Sequence, residues 1–255
     1  MFCELCQNDA EKFCRQSHSM PEFMYKPVYS QPKHQVAAVN IDAQTVDTLQ
    51  KGERYEIICK PCELRSGKYD RYAANLLATV AKGCPSEMGV AVEKYPGPGG
   101  GGEFWCGVRF DYFQKFVFGI VLSEHLARKK DGVNILGDKH FAGIRRIYEG
   151  ETVFDERSYP IWIFRYTDKQ LPPERVLVPP MMGRMNGHRT IGFVGAGYEF
   201  LTIISSHPKD EFMQFASLNS NGRAMIQYSE YFKTRYFRES LPKLIATLKI
   251  NNRKL

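Results

Sequence analysis

Apolar and polar positions alternate with two different periods along the chain. From Asp111 to Arg128, apolar residues recur at Phe113, Phe116, Val117, Ile120 and Val121. That is the i, i+3, i+4, i+7 spacing of a helix with one buried face. The same period predicts a helix from the residues after Cys62 through Tyr69, Tyr72, Ala73, Leu76, Leu77 and Val80, ended by Gly83 and Pro85, and another over Gly137–Glu149. Beyond these the period shortens to that of strands. Tyr159–Tyr166 and Ile191–Ile204 are rich in β-branched and aromatic residues, with a further short strand expected over Arg175–Pro180. Gly192, Gly195 and Gly197 read as bulges in a hairpin. Near the start, Glu11–Cys14 and Val36–Ile41 read as short strands, Gln7–Ala10 as a turn and Pro21–Lys26 as a brief helical turn.

These elements predict an α+β protein in three parts. Residues 1–82 form a small ββα unit and its following helix, 83–106 a Gly/Pro-rich linker or loop, and 107–255 an α+β domain of helices followed by antiparallel strands, with a basic tail. The run Tyr95–Gly102 is too rich in glycine and proline for regular structure. It lacks the Lys-Ser/Thr ending and flanking helix of a phosphate-binding loop. His125, near the end of the 111–128 helix and beside Arg128, Lys129 and Lys130, is expected to be a capping or core residue.

Candidate chemistry concentrates in the first seventy residues. Cys3-Glu4-Leu5-Cys6 and Cys59-Lys60-Pro61-Cys62 are two C-x-x-C pairs. Two residues between cysteines let one tight turn present both sulfurs to one ion, and two such pairs supply the four soft ligands of a structural Zn2+ site. Of the seven cysteines, Cys14, Cys84 and Cys106 fall outside the pattern. This usage suits a reducing cytoplasm rather than a disulfide framework. No leader precedes Cys3 and no apolar run reaches the roughly 18 residues that span a bilayer, so a soluble, cytoplasmic chain is expected.

The net charge of +7 suits a polyanionic partner such as nucleic acid, or a solvated basic surface. Residues 232–255 carry much of it. Lys233, Arg235 and Arg238, interleaved with Tyr231, Tyr236 and Phe237, have the composition that grips a nucleic-acid backbone and stacks a base, and equally that of an amphipathic helix in solvent.

The order Cys3, Cys6, His18, Pro21, Cys59, Cys62 and a helix resembles the zinc-containing, treble-clef branch of the HNH endonucleases. More narrowly, the chain is similar to a group of bacterial proteins with Cys-x-x-Cys, Ser-His-x-x-Pro-x-Phe and Cys-x-x-Cys-Glu motifs, followed by segments like Asp111–Phe116 and Leu136–His140. The resemblance implies that His18 is the general base that takes a proton from the attacking water, a task suited to an imidazole near neutral pH. It implies a catalytic Mg2+ or Mn2+ on adjacent ligands, and a role in bacterial antiviral or mobile-element systems. The chain departs from the family pattern at Ser17, where Asp or His is usual, and at Glu63, where His or Asn is usual. Glu63 reads either as the metal carboxylate or as an ordinary acidic residue in the first turn of a helix. Asn40 is the only asparagine between His18 and Cys59, in an unexpected context. Lys68, further along the same helix, is the candidate phosphate contact. Two functions follow: a metal-dependent nuclease with His18 and Glu63 at its centre, or a degenerate HNH fold that binds nucleic acid or a partner protein without cutting.

Overall fold

A computed structural model describes residues 1–15, 17–29, 54–97, 100–152, 157–169, 172–206 and 216–230, with the backbone of Gln35–Asn40 and Thr45–Gln50. The fold is mixed α+β: among the described residues, four helices and a large mixed sheet, with small two-stranded ladders at the N-terminus. Those ladders pair β1 (Phe2–Cys3) with β2 (Asn8–Asp9), β3 (Ser17–His18) with β6 (Arg54–Tyr55), and β4 (Gln35–Asn40) with β5 (Thr45–Gln50). The tight turn lies at residues 4–7, so Asn8–Asp9, read from sequence as part of a turn, is the returning strand. The expected strand over Glu11–Cys14 is reduced to a single bridge between Phe13 and Cys59.

The helices follow the apolar periods closely. They are α1 (Glu22–Tyr25), α2 (Lys60–Ala81), α3 (Phe110–Lys130) and α4 (Asp138–Glu149). α3 is the central post. Its residues Phe113, Phe116, Val117, Ile120 and Val121 are all buried, and its rings meet the sheet through Phe200, 5.8 Å from Phe116 and 6.0 Å from Phe113. Gly119 lets α4 approach closely, since a Cβ there would sit 3.3 Å from the Tyr148 ring. His125 is buried against the Phe141 ring at 4.7 Å. Loss of water and then Lys129 depress its pKa, so it stays neutral as a core histidine.

The large sheet holds β7 (Ala91–Tyr95), β8 (Gly102–Cys106), β9 (Ile161–Tyr166), β10 (Val178–Met185), β11 (His188–Gly195), β12 (Tyr198–Ile203) and β13 (Ala224–Ser229) in the order β10-β11-β12-β9-β13-β8-β7. Four sequence expectations are corrected here. The sheet is not wholly antiparallel, because β13 lies parallel to β9. Two of its strands, β7 and β8, precede the long central helix and come from the 83–106 stretch expected to be a linker, so the glycine-rich run connects a hairpin. Gly192 and Gly195 sit in regular register, opposite Leu201 and Tyr198, and only Gly197, at φ 85°, shapes the turn; the irregularity in this region lies between Val178 and Met181. The expected 175–180 strand starts after a 3-10 turn at Pro173–Arg175 and runs on to Met185.

The N-terminal unit packs on this frame. Phe23 lies 6.0 Å from Phe116, and the space where a Cβ of Gly195 would stand is occupied by Met24, at 2.7 Å. Buried residues from Cys3 to Ile226 form one contiguous cluster. Among the described residues no helix is long and apolar enough to cross a membrane.

One polar group is embedded where three strands meet. Glu103 of β8, only 1% exposed, accepts hydrogen bonds from Trp105 Nε1 at 2.8 Å, Tyr228 Oη of β13 at 2.9 Å and Arg165 Nη1 of β9 at 3.3 Å. Replacing the carboxylate with an amide removes the charge that these donors share and turns one acceptor oxygen into a donor facing donors. Glu103→Gln is expected to cost about 1–3 kcal/mol, read as a lower urea midpoint with an unchanged slope.

Candidate metal centre and the adjoining cleft

The first thiol pair is shaped by the 4–7 turn. Gln7 adopts φ 58° and donates its backbone N–H to Cys3 O at 2.8 Å, and the chain then pairs back, Asn8 opposite Cys3. The second pair is built by the entry to α2. Cys59 is extended at the helix N-cap, Pro61 lies in the first turn where its missing N–H costs nothing, and Cys62 follows on the helix. The Phe13–Cys59 bridge and the hydrogen bond from Cys14 N to Ile58 O, 2.8 Å, hold the two pairs together.

All four sulfurs, of Cys3, Cys6, Cys59 and Cys62, lie within 4.8 Å of one another. Cys3 and Cys62 are 3.9 Å apart and Cys6 and Cys59 3.7 Å. A tetrahedral ion with metal–sulfur bonds of about 2.3 Å requires sulfurs about 3.8 Å apart, so the donor set has the dimensions needed to hold a metal such as zinc. Disulfides are ruled out at these separations, and all four cysteines are free. Burial pushes the Cys62 and Cys59 thiols up. Burial also acts on Cys3, but the backbone groups of Cys6, Cys59 and Leu5 outweigh it and bring that thiol down to about 7. Four thiols brought this close together need a cation for all of them to ionise.

Beside this cluster lies a cleft of about 540 Å³. His18 and Glu22 reach it from β3 and α1, Glu63, Ser66, Asp70 and Arg71 from α2, and Lys115 from α3; Lys26 also lines it. The two residues expected from sequence to act together, His18 and Glu63, thus share one wall-to-wall space. Ser17 is placed elsewhere: as the neighbour of His18 on a strand it turns the other way and is fully buried. Lys68 is exposed on α2 and does not line the cleft. Lys233, Arg235 and Arg238 lie outside the described residues, and only the backbone of Asn40 is described.

The electrostatics of the cleft are set by its acids. His18 Nε2 is 3.5 Å from Glu22 Oε2, one helical spacing further along the chain. Loss of water, with the Glu63 charge nearby, pushes the Asp70 carboxyl up to about 8. Among the described residues the four cysteines are the only group of three or more such ligands gathered this tightly; the cleft carboxyls do not close into a cage of their own. Sequence reading missed Glu22, Arg71, Lys26 and Lys115 as cleft residues. The positions of Glu63, Ser66 and Asp70, three and four apart, were a readable signal for one face of α2.

No protein-family model matches the chain. Searches of curated proteins and of solved structures likewise give no significant match.

Proposed function

We propose that the N-terminal unit is a zinc-held treble clef of HNH type and that the adjoining cleft hydrolyses phosphodiester bonds in nucleic acid. The observation that carries this reading is the convergence of His18 and Glu63 on one open cleft beside four clustered thiols. The knuckle, the β3–β6 ladder and α2 follow in the order the treble clef requires, with Zn2+ on Cys3, Cys6, Cys59 and Cys62 fixing the distance between ladder and helix.

In this reading His18 takes the proton from the attacking water, and Glu22 favours the imidazolium that results. Glu63, with Asp70 on the same helix face, would hold Mg2+ or Mn2+, ions commonly bound by one or two carboxylates together with substrate phosphate oxygens rather than by an all-protein cage. Such an ion supplies charge stabilisation at the scissile phosphate. Lys26, Arg71 and Lys115 take the phosphate-neutralising role that the sequence suggested for Lys68.

The buried Ser17 and the open arrangement of the carboxyls favour a second reading, in which the same surface binds nucleic acid or a protein without cutting. Cleavage of plasmid DNA and of single-stranded RNA with Mg2+ or Mn2+ separates the two. His18→Ala is expected to lower the rate about 10²–10⁴-fold while a gel shift shows retained binding. Equal cleavage by both proteins, or none by the wild type, would remove the catalytic assignment, and salt-dependent binding without cleavage would leave the binding module.

A further inference from the structure

The thiolate cluster has a neighbour whose placement neither the C-x-x-C spacing nor the cleft explains. Arg65 stands one turn beyond Cys62 on α2, and its Nη2 lies 3.4 Å from Cys62 Sγ and 2.5 Å from Glu149 Oε1 at the end of α4. That nitrogen carries two hydrogens, so one guanidinium atom can serve sulfur and carboxylate together, which a lysine ammonium on a flexible stem does less rigidly. The guanidinium carbon also sits 5.5 Å from the centre of the Tyr148 ring. Next to it Ser66 Oγ donates to Cys62 O at 3.1 Å and lies 2.7 Å from Tyr148 Oη. Two adjacent residues of α2 thus tie Cys62 to α4, one through its sulfur and one through its carbonyl.

We propose that Arg65 is an outer-sphere positioning residue for the metal: it donates a hydrogen bond to the Cys62 thiolate and, through Glu149, couples metal occupancy to the docking of α4. This rests on the zinc reading of the four cysteines. The physical need is charge. A divalent ion on four thiolates carries a net charge of −2, and Cys3, Cys59 and Cys62 are all but excluded from water. A charged donor at a fully buried sulfur offsets that charge and lowers the basicity of the thiolate. The carboxylate of Glu149, largely buried itself, holds the arginine to the task.

The test is zinc affinity by competition with a chromophoric chelator on the full chain, together with the spectrum of the Co2+-substituted protein. Arg65→Met is expected to weaken zinc binding about 10–100-fold and to shift the sulfur-to-cobalt charge-transfer band. Arg65→Lys should recover only part of the affinity. Glu149→Gln, which leaves the arginine in place but slackens it, should weaken binding less and move the band in the same direction. Arg165→Met is the control, since it breaks an ion pair in the sheet, with Glu103, and should alter neither readout. Should Arg65→Met fail to fold, Glu149→Gln and Arg65→Lys still report. Zinc affinity within twofold of wild type and an unmoved cobalt band in these variants overturn the role of Arg65 alone. Wild-type protein that takes up neither zinc nor cobalt overturns the metal centre and this role with it.

Discussion

Cys59→Ser is expected to abolish stoichiometric zinc binding and to lower the melting temperature by about 10 °C or more. Serine keeps the size of the side chain, but its hydroxyl does not ionise to replace a thiolate. Zinc in isolated finger peptides contributes about 10–16 kcal/mol of apparent folding energy. Here the module also rests on Phe116 and Gly195, so part of its structure is held without the ion, and a loss of about 5 kcal/mol is the expected share. For a chain of this size 1 kcal/mol corresponds to about 2–4 °C. The position does more than ligate. Cys59 starts α2 and bridges Phe13, so slackening it releases the helix that carries Glu63, Arg65 and Asp70. Calorimetry and metal analysis check this, with the exposed Cys84→Ser expected to change stability by less than about 0.5 kcal/mol. Full zinc content and unchanged melting in Cys59→Ser would remove the metal assignment.

Phe116→Ala is expected to cost about 3–5 kcal/mol and to lower the stability of both ends of the molecule together. Its ring is 1% exposed and lies within 6.4 Å of the rings of Phe23, Phe113, Phe193 and Phe200. Those neighbours come from α1, α3, β11 and β12, so the cavity left by alanine opens at the point where the N-terminal unit, the central helix and the sheet meet. Urea unfolding followed by tryptophan fluorescence, from Trp105 and Trp162 in the sheet, and by zinc release should give one shared transition, displaced to lower denaturant. Separate transitions, with only the tryptophan signal displaced, would show that the unit and the sheet do not stand or fall as one.

The sequence was most legible where structure is local. The courses of α2, α3 and α4 follow from apolar spacing and from Gly83, Pro85 and Gly137 at their ends, because a helix satisfies its hydrogen bonds within itself; α2 begins earlier than the spacing suggests, at Lys60 rather than after Cys62. Strands were found as segments but not as partners. Nothing in residues 102–105 announces that they pair with residues more than a hundred positions later, since a strand finds its neighbour only through the packed whole. The four cysteines were readable because a metal imposes fixed spacing. The remaining cleft residues were not, since Lys115 and Arg71 reach the cleft only once α3 lies against α2. Arg65 was hidden for the same reason, its partner Glu149 lying 84 residues further along the chain.

The place of β13 has a consequence for how the chain must be made. Lying between β9 and β8, this late segment is, among the described strands, the only bridge between the two halves of the sheet. Until it leaves the ribosome, β8 and β9 each present an unsatisfied edge. At 5–20 residues per second, the 118 residues from Cys106 to Ala224 take about 6–24 s to synthesise. During that interval the open edge of β8, joined by that of β9 once residues 161–166 are made, is exposed to pairing with other molecules.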